Sequence, residues 1–499
     1  MDVMNNCINN WNYKRGWLAF SENKIDNELI LKDFQDDQFY SLHIFFHPET
    51  KVYKKQKKDF GLYLIGHAYN PIDMIHEEDI ILDSLLFSTD IVREINKLTG
   101  VFSLFVYNKG VIQIYQDACG IMPVYFGRID NRIVISNYAQ LIADIWELRM
   151  DSWISEYINS SFYTIGIRQL CGRDSAFSEL KMLTANTYLS LSDLSINRFY
   201  PISPLCTTED NYNYIKKILH NSMLCCSRKW NCAISLTGGV DSRMTLAAAN
   251  GLYDKFSYFS FISNPAERKD TEAATNICNA IKVNHIIYEI PDNNEAISNF
   301  KQLKKIINHN TSEILRPKDS DIRKIITLAD KMVNCVEIKS HISEVGRAFY
   351  FKKLGKKSFR TPLSARNMSN LAKRNMFNRA LLKKMDRSFS EFIKETAFDE
   401  IPSGYEQTDM FYWENRMPLW GSLVKQRFDV SHETTIIYNN RLLLEAFLKF
   451  PLQQRIKDIP QKKIINDLNP ILTNLVSNNN AMKSWKRIVL ENLFYSINQ

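Results

Sequence analysis

Among 499 residues there are nine cysteines, an odd number, and no two of them are spaced C-x-x-C. Cys225 and Cys226 are adjacent and the rest are scattered. Disulfide frameworks and zinc sites both need regular spacing, so neither is expected; reduced thiols in a cytoplasmic protein are. Met1 to Asn10 carries no apolar run and no basic stretch, so no signal peptide is expected. No run of ~18 apolar residues occurs, so no membrane span is expected. Internal repeats and low-complexity tracts are absent. The charge balance, 63 basic against 55 acidic residues, leaves only +8. Over this length that is a solvated surface, not a nucleic-acid footprint. Lys54, Lys55, Lys57 and Lys58, or Lys352, Lys353, Lys356 and Lys357, could attract an anionic substrate. They lack the interleaved aromatics of a nucleic-acid platform.

What is present is an ordinary globular composition, 45% hydrophobic and 24% charged. It excludes a disordered chain, a fibre and a membrane bundle. At ~100–200 residues per domain the length gives two to four domains, with enough chain for more than one core.

Residues 1–200 read as β-rich. Short apolar or alternating runs recur at Trp17 to Phe20, Tyr40 to Phe46, Leu62 to Gly66, Val101 to Tyr107, Val111 to Tyr115, Val124 to Phe126 and Arg132 to Ser136. Asn108-Lys109-Gly110 and Asp130-Asn131 are turn signals between them. This spacing predicts stacked antiparallel sheets, with helices near Leu82 to Leu98 and Ala139 to Leu148. The character changes at Pro201-Ile-Ser-Pro204, a linker. Thr207 or Thr208 is positioned to cap a helix carrying Tyr214, Ile215, Ile218, Leu219 and Met223. Strands at Cys232 to Leu236, Phe256 to Ile262, His285 to Ile290 and Val333 to Ile338 then alternate with helices, including Arg243 to Asn250. That alternation predicts a parallel sheet. From about 360 the pattern is mostly helical.

The informative stretch is Ser235-Leu-Thr-Gly-Gly-Val-Asp-Ser242, leaving a buried strand and entering a helix. Two glycines let backbone N–H groups crowd an anion without Cβ interference. The helix start adds unpaired N–H groups and a positive dipole end. Thr237 and Ser242 add hydroxyls. Asp241 places a carboxylate beside the same anion, which makes sense with Mg²⁺ between them. No G-K-[ST] follows, so this is not a Walker loop.

These residues resemble the pyrophosphate loop of N-type ATP pyrophosphatases, S-G-G-x-D-S, departing only at Thr237. The resemblance implies ATP cleavage between the α- and β-phosphates, adenylation of a substrate and displacement of AMP by an amine. Leu98-Thr-Gly-Val-Phe-Ser-Leu-Phe-Val106, Asp117-Ala-Cys-Gly120, Pro123-Val-Tyr-Phe126 and Ile135-Ser-Asn137 look like the amino-terminal domain of class B asparagine synthetases. The order of domains does too. Asp270-Thr-Glu272 resembles that family's D-E position. Ser340-His-Ile-Ser-Glu-Val345 stands where its second nucleotide loop, S-G-x-G-x-D-E, would be.

Two departures matter. A glutaminase of this class needs a cysteine at the processed amino terminus, whose α-amine is the base. Position 2 is Asp2 and the nearest thiol is Cys7, and His67-Ala-Tyr-Asn70 lacks the glutamine-gripping pattern. Ammonia or an organic amine is therefore expected instead of glutamine, as in the related β-lactam synthetases and lasso-peptide cyclases. The second loop has also lost its glycines and its aspartate. Glu344 remains, either as a Mg²⁺ ligand opposite Asp241 or as a simple ion-pair partner of Arg347. No tyrosine base stands in this loop; His341 is its one histidine, a group that titrates near working pH.

Near the carboxyl end, Pro460-Gln-Lys-Lys-Ile-Ile465 resembles the family's K-[aromatic]-x-L-R segment. The resemblance gives Lys462 or Lys463 the task of offsetting negative charge at the α-phosphate. Asn439-Asn-Arg-Leu-Leu443 resembles the segment facing the amino-acid pocket. Phe411-Tyr-Trp-Glu-Asn-Arg416 reads as core plus a surface ion pair.

The expected architecture is thus α/β plus α+β. A degenerate class II glutamine amidotransferase-like domain over 1–200 is an antiparallel sandwich of the N-terminal nucleophile type. An ATP pyrophosphatase domain over 207–499 has a parallel sheet and a helical carboxyl-terminal part. ATP and Mg²⁺ are the implied cofactors. Ser235, Leu236 and Phe261 would frame adenine; Thr237, Gly238, Gly239 and Ser242 the pyrophosphate; Ser340 would join them from the second loop. Asp241 and Glu344 would hold the metal, and Glu344, Lys462 and Lys463 form the catalytic set. The partners are a small-molecule or peptide carboxylate and an amine, with no nucleic acid or membrane; a homodimer is left open. Three rivals stand beside this ligase: a glutamine-hydrolysing asparagine synthetase, a degenerate scaffold, and a related adenylating thiolase or tRNA modifier, which no cysteine pair or RNA-binding appendage supports.

Overall fold

The computed structural model describes residues 11–21, 28–161, 163, 168–356, 358–372, 378–473 and 489. The expectations for Asp2 and Cys7 fall outside the described residues. The fold is mixed α/β, with two six-stranded antiparallel sheets, one five-stranded parallel sheet and many helices.

The first antiparallel sheet runs Leu180–Met182, Tyr125–Ile129, Arg132–Ser136, Trp17–Ser21, Leu42–Phe46, Gln35–Phe39. The second runs Ile196–Arg198, Thr187–Ser190, Val111–Gln116, Thr99–Asn108, Phe60–Tyr69, Val52–Gln56. Their inner faces meet through aromatic side chains. Trp17 of the first sheet lies 5.5 Å from Phe105 of the second, edge to face, and Phe39 lies 5.4 Å from Tyr63. Both turn signals are realised. Lys109 and Gly110 take φ of 46° and 94°, and Asp130 and Asn131 take 47° and 65°. Two consecutive left-handed residues are what a tight hairpin between right-twisted strands requires. The single helix expected over Leu82 to Leu98 is instead two, Glu78–Phe87 and Ile91–Lys97. Asp90 separates them, its carboxylate capping the second by accepting from Arg93 N at 3.0 Å.

The parallel sheet runs His285–Glu289, Phe256–Ile262, Cys232–Ser235, Val336–Ile338, Glu433–Thr435. Every pairing in it is parallel. Four of these strands were expected; Glu433–Thr435 was not. The strand expected from Val333 begins only at Val336, after Asn334 turns at φ 54°. The long helix expected near Tyr214 spans Tyr212–Lys229, but neither threonine caps it. Thr208 Oγ1 accepts from Asp210 N at 3.2 Å, one turn too early.

The two halves share one apolar core and a polar seam. Arg198 grips Glu414 through bonds of 2.7 and 2.8 Å. Asn439 Nδ2 donates to Gly100 O at 2.6 Å and to Asp117 Oδ1 at 2.8 Å. His67 Nδ1 meets Glu433 at 2.8 Å. No disulfide forms among the described cysteines. Among the described residues no helix is long and apolar enough to cross a membrane.

Candidate functional site

The carboxyl ends of the parallel strands open into a cavity of ≈ 450 Å³. That is where open parallel sheets bind ligands, and the size suits a small molecule. Ser235, Leu236, Thr237, Asp241, Ser242, Phe261, Ser340 and Glu344 all line it. Eight of the expected site residues therefore come together from three separate strand ends.

The first loop is held by its own hydroxyls. Thr237 Oγ1 and Ser242 Oγ lie 2.9 Å apart, and Thr237 N donates to Ser242 Oγ at 3.3 Å. Thr237 Oγ1 also accepts from Gly239 N at 3.2 Å. Thr237 thus closes the turn through its own hydroxyl. A Cβ on Gly239 would lie 3.3 Å from Thr237 Oγ1, so glycine keeps this turn tight. The helix begins at Val240, not Arg243 as expected, which puts Asp241 and Ser242 in its first turn. The first N–H groups of such a helix have no intrahelical partner and face an anion readily. Leu236 N continues the strand pairing by donating to Phe259 O at 2.9 Å.

The second loop takes a positive φ at a residue that is not glycine. Ile342 is fully buried at φ 84°, a strained conformation for a β-branched residue. The loop ends in a short 3₁₀ turn, Ser343–Arg347, and Ser340 Oγ accepts from Thr245 Oγ1 at 2.9 Å.

Asp241 is already engaged. Arg347 Nη1 donates to both of its oxygens, at 2.7 and 2.6 Å, and the Ser343 hydroxyl donates to one. Asp458 holds the other side of Arg347, accepting from Nε at 2.8 Å and Nη2 at 3.2 Å. Burial works against the charge on Arg347, but Asp241 and Asp458 outweigh it and hold the guanidinium above its ordinary pKa. The expected alternative, Glu344 pairing with Arg347, is replaced by Asp241 doing so. Burial first, and the charge of Asp241 second, push the Glu344 carboxyl up to about 7. A cation between the two carboxylates would relieve that repulsion, so Asp241 and Glu344 fit a Mg²⁺ arriving with nucleotide phosphates. Among the described residues no group of three or more His, Cys, Asp or Glu could hold a metal ion.

His341 lines the cavity with Nε2 buried and unpartnered. Burial and then Lys339 push its pKa down to about 3, so the ring is neutral and a weak base at working pH. This corrects the expectation that it titrates near neutrality.

Lys462 and Lys463 do not line the cavity. Both sit on the exposed side of the helix Ile459–Leu468. Lys462 Nζ reaches Lys457 O at 3.2 Å, while Lys463 Nζ pairs with Asp467 at 3.2 Å and lies 4.9 Å from the Tyr212 ring. Their assignment is corrected accordingly. Gly238 and Gly239 belong to the loop without lining the cavity.

Sequence reading missed the buried charges of the wall. Lys324 Nζ bonds Glu267 at 2.7 Å and lies 4.1 Å from the Phe261 ring. Glu337 bonds Lys339 at 2.6 Å and His432 at 2.7 Å. Burial disfavours its charge, but Lys339 and His432 hold its carboxyl far below the usual range. The available signal was a charged residue inside an apolar strand, as Glu337 is in Val336-Glu-Ile338.

No family model matches the chain, and no curated protein does. Two solved structures that match are glutamine phosphoribosylpyrophosphate amidotransferase from B. subtilis complexed with ADP and GMP, and an allosteric regulatory enzyme of purine biosynthesis. The first is 10% identical with a TM-score of 0.23, covering 51% of this chain and 60% of that one. The second is 10% identical with a TM-score of 0.25, covering 50% and 60%. TM-scores this low support no conclusion about function.

Proposed function

We propose that the chain is an ATP-dependent, AMP-forming ligase that joins a carboxylate to ammonia or an organic amine without hydrolysing glutamine. One observation carries the reading: the Ser235–Ser242 loop, set between a parallel strand and a helix start, opens onto a cavity shared with the second loop. Thr237, Gly238, Gly239, Ser242 and the first turn of the helix would bind the pyrophosphate portion of ATP. Leu236 and Phe261 would border adenine. Asp241 and Glu344 would hold Mg²⁺, which supplies charge neutralisation at the phosphates. The substrate carboxylate attacks the α-phosphorus and pyrophosphate leaves; the amine then attacks the acyl carbon and AMP leaves. With Lys462 and Lys463 turned outward, Lys324 and Lys339 are cations that line the pocket, and Arg347 stands behind Asp241.

The second reading, a non-catalytic scaffold, is favoured by the Arg347 clamp on both oxygens of Asp241. ATP–pyrophosphate exchange across a carboxylate panel separates the two. The ligase exchanges label with some carboxylate, and Asp241→Ala abolishes both exchange and ATP binding. A scaffold gives no exchange with any carboxylate, even where ATP binds.

A further inference from the structure

The helix that begins at Gln407 and ends at Gln426 widens into π turns over Tyr412–Gly421, around Pro418. Such turns are rare and concentrate at functional sites. Several of its side chains are tied to the antiparallel half. Trp413 Nε1 donates to Ala118 O at 2.8 Å, Asn415 Nδ2 donates to Gly172 O at 2.7 Å, and Glu414 takes the Arg198 fork.

Arg416 is finished differently. It is 6% exposed. Its guanidinium carbon lies 4.5 Å from the Trp420 ring, 5.2 Å from Phe349 and 5.5 Å from Tyr412. Nη1 donates to Gln169 Oε1 at 3.2 Å. Among the described residues no carboxylate forms an ion pair with it. Arg416 Nε and Gln169 Nε2 are both buried donors without a partner. With its oxygen turned to Arg416, the Gln169 amide leaves its NH₂ as the second donor.

Arg416 meets the Tyr412 hydroxyl and, at longer range, the Glu344 carboxyl, but a buried cation with no carboxylate in close contact is costly, and each buried unsatisfied donor adds to that. Rings around a guanidinium offset only part of it. The box lies near the reaction pocket without lining it. Phe349 follows the second loop directly and lies 4.6 Å from Tyr412, and the charge of Arg416 reaches Glu344.

We propose that Arg416 and Gln169, inside the ring box of Phe349, Tyr412 and Trp420, form a subsite for one carboxylate of the molecule that reacts in the nearby pocket. A carboxylate matches the planar guanidinium fork and carries the single negative charge needed. A doubly charged phosphate would leave excess charge buried. The rings would line an apolar stem. Only the fate of the bound molecule rests on the ligase reading; the subsite itself does not.

The test is calorimetric titration of the full-length chain with L-aspartate, L-glutamate, succinate and glutarate, with L-asparagine and L-glutamine as amide controls. At least one acid should bind saturably. Arg416→Gln should weaken it at least tenfold, Arg416→Lys less, and the matching amide should bind at least tenfold more weakly than the acid. Gln169→Glu supplies an internal carboxylate to Arg416. It should raise the melting temperature and abolish acid binding, and it answers the question even if Arg416→Gln fails to fold. Absence of binding by all four acids, equal binding by Arg416→Gln, or a lowered melting temperature in Gln169→Glu overturns the proposal. ATP–pyrophosphate exchange by the wild type and by Asp241→Ala, measured separately, decides the ligase reading.

Discussion

Along the seam between the halves, Arg198 meets both oxygens of Glu414, and Asp117 accepts from the backbone N–H groups of Cys119, Ile121 and Met122 as well as from Asn439. In the adjoining pocket, Glu344 has no ion-pair partner among the described residues, His341 Nε2 has none, and Arg416 keeps an idle donor. Both regions bury charge in close pairs, but in the pocket the pairs Asp241–Arg347, Lys324–Glu267 and Glu337–Lys339 stand beside Glu344, which has none. Paired buried charge holds a geometry in place; unpaired buried charge raises the free energy of the empty site and lowers it when a complementary ligand arrives. The seam is the rigid frame, and the pocket is where electrostatic imbalance is stored.

The largest effect that could break this contrast lies in the seam. Glu414→Leu strands the Arg198 guanidinium, whose side chain is 10% exposed. Such a change costs about 3–5 kcal/mol, read as a fall in the urea midpoint. A loss below about 1 kcal/mol would mean the seam tolerates stranded charge as the pocket does.

The next lies in the His67–Glu433 pair. Burial works against the Glu433 charge, but His67 outweighs it and holds the carboxyl down to about 2, from an ordinary 4.5. Because the folded pKa is the lower one, the stabilisation is complete above about 4.5 and is lost as pH falls through 2. It amounts to about 3 kcal/mol at neutral pH. Urea midpoints measured across that window should fall for the wild type and stay flatter in Glu433→Gln. Parallel curves would remove this pair from the frame.

What the sequence made legible was local. Arg132–Ser136 matches its expected bounds because Asp130-Asn131 can form its turn without help from elsewhere. The Ser235–Ser242 loop was legible because a strand, two glycines and a helix start are contiguous. Glu433–Thr435 was not: three residues carry no periodicity, and their place is fixed by pairing with Val336–Ile338, far back in the chain. The pocket wall was hidden for the same reason. Lys324 and Glu267 are 57 residues apart, and Glu337 and His432 are 95 apart. Arg416 read as a surface ion-pair member because polarity in a sequence does not reveal burial.

His341→Leu sharpens the contrast from the pocket side. It removes a buried nitrogen that has no partner and leaves an apolar side chain. Removing an unsatisfied buried group is close to neutral, or stabilising by about 1 kcal/mol. Thermal unfolding should place the variant at or slightly above the wild type. A loss of 2 kcal/mol or more would reveal a hydrogen bond that the empty pocket already makes.

The smallest effect belongs to the lysines that sequence resemblance placed at the phosphates. Lys463 is 49% exposed and paired with Asp467 four residues on, a surface pair contributing about 0.3–0.5 kcal/mol. Lys462 reaches only a backbone carbonyl of its own neighbourhood. Alanine at either position should therefore shift the urea midpoint by less than about 0.5 kcal/mol of stability. It should also leave ATP–pyrophosphate exchange within about twofold of wild type, since half a kcal/mol is a factor of about two. A tenfold or greater loss of exchange in Lys462→Ala, with stability unchanged, would show the helix Ile459–Leu468 turning inward when nucleotide binds. A further cation for the pocket would then come from motion, and the division between a fixed frame and a waiting site would have to include that helix on the waiting side.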